Sequence, residues 1–224
     1  LAFTGRDDGP AEIYVMAAEG DASRRLTWMG SITQVIGWSL DGSAVLAATD
    51  WQQPFDGSMR IIEVPVNGDP SISLNYGPAR AVSYNPISAG VVIGRNSGDP
   101  ARWKRYRGGT AGTLWIDRNG DGSFRELVKL EGNLANPMWI GRRIYFLSDH
   151  EGHGNLYSCT PTGHGLTRHT EHDEFYVRFP STDGKRIVYH AGADLYVFDP
   201  NDANSTKVDV RIRSSQSPRI RRFS

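Results

Sequence analysis

The sequence predicts an all-β fold, a β-propeller built from four-stranded blades. Short apolar runs recur along the 224 residues, and Gly, Pro, Asn and Asp turn residues separate them. The recurring unit is about 40 to 50 residues long, with an aromatic residue and an Asp-Gly turn near its start, which is typical of propeller blades. Nowhere do the apolar residues take the spacing of an amphipathic helix.

The strands follow one another in a fixed order. The first unit has strands at 1–4, 12–16 and 24–27, with a turn at Asp7, Asp8, Gly9 and Pro10. The same order returns at 144–167 and at 186–210. A second element, which carries an aromatic residue, precedes each later unit and lies at 35–39, 81–86, 137–141 and 176–179. Together the two elements give four strands per unit. Repetition is expected because a single four-stranded blade cannot bury both of its faces without neighbours.

These units divide the chain into one partial propeller, residues 1–224. It consists of an incomplete blade at 1–30, blades at 31–78, 79–133 and 134–173, and a last blade with an exit segment at 174–224. Leu1 already lies within a strand-like pattern and is not an initiator Met, so we expect a fragment or a processed piece. If the chain starts at the second strand of a blade, one inner strand or a whole blade is missing from the ring. The basic stretch 211–224 is expected to lead out of the domain.

Composition narrows the classes of function. The 25 basic and 25 acidic residues balance, so the overall charge favours neither nucleic acid nor an anionic membrane as a partner. Cys159 is the single cysteine, which excludes an internal disulfide and suits a reducing cytosol. No apolar run approaches the roughly 20 residues that span a bilayer, and no signal-peptide pattern opens the chain. We therefore expect a soluble, cytoplasmic protein.

One stretch interrupts the repeating pattern: Trp103, Lys104, Arg105, Tyr106 and Arg107, followed by two glycines and a strand at 113–117. A two-residue hairpin needs only a pair with positive φ such as Asn-Gly, so this is not an ordinary turn. The stretch could be an ordered loop whose guanidiniums pair with carboxylates and stack on its own aromatic rings. It could also line a channel or an interface between domains. Nucleic-acid binding is not expected, because basic footprints usually extend over a whole face.

The same stretch resembles a known family. The run Trp103-Lys104-Arg105-Tyr106-Arg107-Gly108-Gly109-Thr110-Ala111-Gly112, followed by Leu114-Trp115-Ile116, resembles a segment in the N-terminal propeller of the tricorn protease family in its actinobacterial form. Further stretches agree in the same order, at 53–55, 137–141, 143–149, 154–158 and 168–172. The similarity covers essentially the whole chain. TolB-like and WD40-like repeats share the blade consensus, so the long run is the specific part.

The resemblance implies a six-bladed propeller that serves a large, homohexameric, cytosolic serine peptidase, which degrades peptides released by the proteasome. In that family a second, seven-bladed propeller, a PDZ domain and a catalytic domain follow, and a first blade would precede Leu1. The implied role of this segment is to gate or channel peptides without catalysis of its own and without a cofactor. Its implied partners are peptides, the other domains of the polypeptide and further copies of the chain, with no nucleic acid and no membrane.

The family's substrate anchor has no counterpart in this sequence. In the family an arginine pair just before the inner strand of an early blade holds the C-terminal carboxylate of the substrate. The corresponding stretch, 30–35, contains no arginine. Arg24 and Arg25 lie nearby but occupy an outer strand of the preceding blade. We therefore assign no substrate-anchoring residue.

Two segments of the sequence carry residue types that can bind metal ions. Five histidines fall within one unit, and imidazole is a ligand of borderline metals; they are His150, His153, His164, His169 and His172. Their spacing does not match a zinc peptidase helix, so exposed loop histidines are expected. Asp117, Asn119 and Asp121 resemble the first half of a calcium loop, but Val128 occupies the position of its bidentate acid. A glycine-rich connection between two strands explains that segment more simply.

Catalysis by this chain itself is not expected. No Gly-x-Ser-x-Gly elbow occurs, and Ser39, Ser148 and Ser181 are interpreted as turn or strand-end residues. The alternative function is a stand-alone TolB-like propeller that acts as a protein-interaction scaffold. The parent gene distinguishes the two: a continuation into a PDZ and a serine peptidase domain favours the peptidase, and a stop codon after Ser224 favours the scaffold.

Overall fold

The computed structural model describes residues 1–6, 9–102 and 104–210, which form nineteen strands in five antiparallel sheets. The first sheet has three strands: β1 (Ala2–Gly5), β2 (Glu12–Val15) and β3 (Arg24–Arg25). Four four-stranded sheets follow: β4 (Thr33–Trp38), β5 (Ala44–Thr49), β6 (Arg60–Pro65) and β7 (Ile72–Ser73); β8 (Ala81–Tyr84), β9 (Val91–Arg95), β10 (Thr113–Asp117) and β11 (Arg125–Glu126); β12 (Leu134–Ile140), β13 (Arg143–Ser148), β14 (Asn155–Cys159) and β15 (Thr167–Arg168); β16 (Val177–Thr182), β17 (Ile187–Ala191), β18 (Asp194–Asp199) and β19 (Asn204–Val208).

The strand order confirms the prediction of an all-β propeller with four-stranded blades. In every sheet, strands that follow one another in sequence are hydrogen-bonded neighbours. The first strands of successive blades contact each other, β8 with β12 and β12 with β16, so they are the inner strands of the propeller. Five sheets therefore make five successive blades, the first of which contributes three strands. Among the described residues there is no helix, and hence none that could cross a membrane.

Antiparallel strand order sorts the links between strands onto two faces. Links from a second to a third strand, and from a fourth strand to the next inner strand, lie on one face, here called the connection face. The remaining turns lie on the opposite face, here called the turn face. The longest link, residues 96–112, joins β9 to β10 on the connection face. Three predicted features, the turn at Asp7 and Asp8, residue Trp103 and the exit segment 211–224, lie outside the described residues.

Each pair of successive blades encloses its own hydrophobic core. Ile13 of the first sheet packs with Val45 and Val64 of the second blade. The next two seams are built in the same way, by residues such as Ile61 with Ile93, and by residues of the third blade with Phe146 of the fourth. Burial on both faces explains why whole strands such as β5 and β14 are apolar or fully buried rather than alternating. Blade-to-blade packing therefore supplies the hydrophobic stabilisation.

Two inner strands carry the same strained bulge. In β12 the register against β13 shifts between Ala135 and Met138, and in β16 the register against β17 shifts between Arg178 and Ser181. Both bulges contain a residue in the left-handed region followed by proline: Asn136 with φ 51° and Phe179 with φ 46°. The left-handed conformation is unfavourable for a residue with a side chain, and a following proline restricts that residue further. The surrounding sheet must therefore impose it.

The outward face of the fifth blade differs from the equivalent face of the fourth. Cross-strand register makes Arg178, His190 and Leu195 equivalent to Ala135, Leu147 and Leu156. The residues of the fourth blade are buried against the fifth. On the fifth blade, Leu195 is 44% exposed, and the neighbouring Val188 is 46% exposed. This face is more polar than a blade seam, yet it exposes several apolar side chains.

Candidate functional site

The link 96–112, here called the strap, runs from the third blade across the fourth and reaches the fifth. Its anchor on the fourth blade is Asp149, which follows β13 and is 1% exposed. Asp149 Oδ2 accepts a hydrogen bond of 2.6 Å from the backbone N–H of Arg105. Asp149 Oδ1 accepts one of 2.7 Å from the N–H of Asn133, just before inner strand β12. One buried carboxylate therefore joins the strap to the fourth blade.

The end of the strap lies against the backbone of the fourth blade. The N–H of Leu134 donates a hydrogen bond of 3.0 Å to the carbonyl oxygen of Gly112. A Cβ atom at position 112 would lie well inside contact distance of the Leu134 carbonyl oxygen. Glycine is required there because no side chain fits between the two backbones.

A cation–π contact extends the strap to the fifth blade. Lys104 Nζ lies 5.1 Å from the ring centre of Tyr176, the residue before β16. The Tyr176 hydroxyl donates a hydrogen bond of 3.1 Å to the carbonyl oxygen of Gly152. Burial raises the pKa of Tyr176, the Asp149 carboxylate raises it further, and the Arg105 guanidinium opposes this shift. Both Lys104 and Arg105 therefore interact with Tyr176, the residue that precedes the inner strand of the fifth blade.

An ion pair completes this bridge. Arg178, the second residue of inner strand β16, donates from Nε to Asp99 Oδ2 at 2.9 Å, and its NH2 group contacts the same oxygen. Asp99 belongs to the strap and is 10% exposed in this pair. Because inner strands surround the axis of a propeller, this contact places Asp99 of the strap beside the inner strand of the fifth blade.

The described contacts of the predicted stretch reach other blades. Lys104 stacks on Tyr176 of the fifth blade. The carboxylate of Asp149 binds the Arg105 amide, and the Arg105 backbone is left-handed with φ 56°. Within the described ranges, neither the Arg105 nor the Arg107 guanidinium has an ion-pair partner, and both side chains are exposed. Trp103 itself lies outside those ranges.

Two of the five histidines lie in the seam between the fourth and fifth blades. His169 Nε2 is 2.7 Å from Ser158 Oγ, and its ring packs 5.0 Å from that of Phe198. Burial, aided by nearby Arg143, lowers the pKa of His169 to about 4. His172 Nε2 lies 3.1 Å from the Tyr189 hydroxyl, and burial lowers its pKa also. The expectation of exposed histidines is wrong for these two because their rings fill the seam.

The Ser158–His169 contact does not form a nucleophile and base for external substrates. Ser158 is fully buried, and its Oγ also accepts a hydrogen bond of 2.7 Å from Arg143 Nε. In the part of the chain that the structure describes, no three His, Cys, Asp or Glu side chains are grouped so that they could hold a metal ion. His169 and His172 therefore contribute to the packing of this seam.

The acidic loop after β10 is a backbone-capping structure. Asp117 Oδ1 accepts hydrogen bonds from the N–H groups of Asn119 and Gly120, at 3.1 and 2.9 Å. Asp117 Oδ2 accepts one from Gly122 at 2.7 Å. The loop is a glycine-rich connection between β10 and β11, and the Asp117 carboxylate caps its backbone N–H groups.

Sequence reasoning located the strap but missed its anchors. Asp149, Tyr176 and Arg178 come from other blades, and Asp99 precedes the quoted run. A signal was present for one of them: Ser148 and Asp149 occupy the same place in their blade as Thr49 and Asp50, at the end of the second strand. The other contacts join residues up to 79 positions apart, so no local pattern points to them.

Comparison with known proteins agrees with this architecture. The family described as the tricorn protease N-terminal beta propeller domain matches residues 1–204. Tricorn protease homolog 1 of Streptomyces coelicolor is 44% identical over 217 residues, which are 95% of this chain and 20% of that relative. The tricorn protease of Thermoplasma acidophilum is 33% identical over 217 residues, 94% of this chain and 20% of the relative.

A crystal structure of the tricorn protease has the same fold. It superimposes with a TM-score of 0.84 at 32% identity and covers 95% of this chain and 21% of that structure. This chain spans about a fifth of the length of the curated relatives that it matches. The resemblance seen in the sequence is thereby confirmed, and the chain belongs to the tricorn protease family as a segment of its N-terminal β-propeller.

Proposed function

We propose that this chain is the non-catalytic propeller portion of a tricorn-like cytosolic serine peptidase that degrades proteasome-derived peptides, and that it gates or channels those peptides. The observation that carries the proposal is the position of the strap. Its described residues are held beside the inner strand of the fifth blade by contacts from two other blades. In this proposal the strap, including Trp103, Lys104, Arg105, Tyr106 and Arg107, forms a channel or interface loop.

The complete ring in this proposal has six blades. Two features support a missing blade: the first sheet has three strands, and the fifth blade leaves Val188 and Leu195 exposed on its outward face. A further blade would cover those side chains. A further strand would complete the first sheet on its inner side. Residues 1–224 then belong to one partial propeller domain, with blade limits near 30, 78, 133 and 173.

The partners follow from the family and remain part of the proposal. A second propeller, a PDZ domain and a catalytic domain would continue the polypeptide, and its copies would assemble as a hexamer in the cytoplasm. The roughly fivefold greater length of the relatives is consistent with such additional domains.

The test is peptide hydrolysis by the complete polypeptide and by this segment alone. The complete polypeptide should cleave fluorogenic tri- and tetrapeptides, and a serine-reactive inhibitor should abolish the activity, whereas the segment alone should cleave none. Inhibitor-sensitive turnover by the segment, absent from a mock preparation, would show that it is catalytic. A reading frame that stops after Ser224 would favour the interaction scaffold instead.

A further inference from the structure

The strap exposes two arginines, Arg105 and Arg107, close to contacts that hold its described backbone on other blades. Arg105 is held through its own N–H, which binds Asp149, and through the preceding Lys104, which packs on Tyr176. Further along, the N–H of Ala111 donates to the carbonyl oxygen of Gly108 at 2.9 Å, which closes the turn after Arg107. A charged side chain on an ordered backbone costs less conformational entropy when it binds a ligand.

The backbone of Arg105 is strained, as it is at five other described non-glycine residues with positive φ. A non-glycine residue with positive φ costs of order 1 kcal/mol or more and persists where the surrounding structure requires it. Arg105, with φ 56°, is such a residue, and its side chain is exposed rather than buried. The fold therefore keeps a strained arginine at a position where packing of its side chain gives no benefit.

The charges around the strap leave these arginines available. The Asp99 carboxylate is occupied by Arg178, and the Asp149 carboxylate accepts backbone N–H groups. The link before β16 carries exposed acids at 171, 173 and 174, of which Glu171 pairs with Arg168 at 3.1 Å. In the described parts of the chain, none of these acids forms an ion pair with a strap cation.

We propose that the strap selects for negatively charged peptides at the channel rim, with Arg105 and Arg107 attracting a carboxylate of the peptide. This inference rests on the proposed function and adds to it the chemical class of the favoured peptide. Exposed arginines attract carboxylates over a Debye length of about 8 Å at physiological salt, and they can bind a carboxylate bidentately on contact. The expected selection is therefore electrostatic and salt-dependent.

The experiment compares two charge-reversed variants of the complete polypeptide. The first is Arg105→Glu with Arg107→Glu. The matched control is Arg118→Glu with Arg142→Glu, which changes the total charge equally but at exposed positions on the turn face. The probes are two fluorogenic tetrapeptides that differ only in a Glu or a Lys at the residue farthest from the reporter. Labelled all-D versions, which are not cleaved, measure binding by fluorescence anisotropy.

The strap variant should lower the Glu-to-Lys ratio of kcat/KM, and of D-peptide affinity, by about fivefold or more at low salt. The control variant should leave both ratios unchanged, and about 0.5 M salt should remove the difference. The inference is wrong if both peptides are cleaved normally and the ratios do not change, or if the control changes them equally. Altered assembly with unchanged ratios would assign the arginines to an interface between domains and would also overturn it. If the wild type neither binds nor cleaves either peptide, the proposed function fails as well.

Discussion

Two aspartates at equivalent positions, Asp50 and Asp149, use the same chemistry for different purposes. Each follows the second strand of its blade and accepts a hydrogen bond from the residue before the inner strand: Ile32 N–H at 2.9 Å for Asp50 and Asn133 N–H at 2.7 Å for Asp149. The second oxygen makes the difference. In Asp50 it binds Gly57 N–H of its own loop, whereas in Asp149 it binds Arg105 N–H of the neighbouring blade.

The same aspartate position caps a loop within one blade at Asp50 and connects two blades at Asp149. The link that begins at Asp50 is ten residues long, 50–59, and the second carboxylate oxygen of Asp50 binds an N–H group within that link. The strap is seventeen residues long, 96–112, and one of its amides enters the equivalent position over the fourth blade. The longer link of the third blade thereby supplies the N–H group that binds the aspartate of the fourth blade, and this hydrogen bond connects the two blades.

The largest effect is expected from a substitution that disrupts the contact between the strap and the backbone of the fourth blade. Gly112→Ala should lower the free energy of unfolding by about 3–4 kcal/mol, because the new Cβ would overlap the Leu134 backbone. Gly109→Ala in the same strap should change it by less than about 0.5 kcal/mol, since nothing lies within 4 Å of that position. Urea unfolding of both variants measures the effect. Equal stability of the two would show that the close approach at Gly112 is not required.

Removing each carboxylate in turn distinguishes the hydrogen bond within one blade from the hydrogen bond between two blades. Asp149→Ala and Asp50→Ala should each cost about 2–3 kcal/mol, because buried N–H groups lose a charged acceptor. Hydrogen exchange distinguishes them: the Arg105 amide should exchange faster only in Asp149→Ala, and the Gly57 amide only in Asp50→Ala. Faster exchange of Arg105 in both variants would show that the two loops open together.

Acid should weaken the seam beneath the strap and so sharpen the contrast between the two blades. The folded-state pKa of His169 is about 4, below its ordinary value of 6.5, so the unfolded chain binds more protons between these values. The stability that neutral His169 contributes is therefore present above about pH 6.5 and is lost as the pH falls toward 4. Between pH 7 and pH 5 the loss should be about 1–2 kcal/mol.

The variant His169→Gln should reduce this pH dependence in urea unfolding at pH 7 and pH 5. His164→Gln, which changes an exposed histidine of the same blade, should retain it. An unchanged pH dependence in His169→Gln would place the sensitivity elsewhere, with His172 the first candidate because burial lowers its pKa too.

The ion pair at the far end of the strap should have a smaller effect. A double-mutant cycle with Asp99→Ala and Arg178→Ala should give a coupling free energy of about 0.5–1 kcal/mol, since Arg178 is 37% exposed. The loop after Asp50 has no equivalent pair in the described residues. A coupling near zero would mean that the strap is fastened to the fifth blade by Lys104 and Tyr176 instead.

The smallest effect concerns the strained residue itself. Arg105→Gly should stabilise the chain by about 0.5 kcal/mol, because glycine adopts positive φ without steric cost and the amide bond to Asp149 remains. Thermal unfolding measures the change. Destabilisation would show that the exposed guanidinium contributes to folding, contrary to its lack of an ion-pair partner.

Much of the fold could be predicted because it repeats. Alternating apolar runs, and aromatic residues near Asp-Gly turns, indicated the blades before any contact was known. The strap was located for the opposite reason, because its cations and glycines interrupt that repetition. Its partners could not be predicted, since Asp149 and Arg178 lie 44 and 79 residues from the groups that they bind.

By itself, the sequence determined the all-β class, the strand order and the family, because these depend on local patterns of apolar and turn residues and on one specific run. Only the tertiary structure decided what that run contacts, because the curvature of the propeller brings the third, fourth and fifth blades together at one rim. The same residue types therefore have different roles: His164 is exposed on a turn and His169 fills a seam, although five positions separate them.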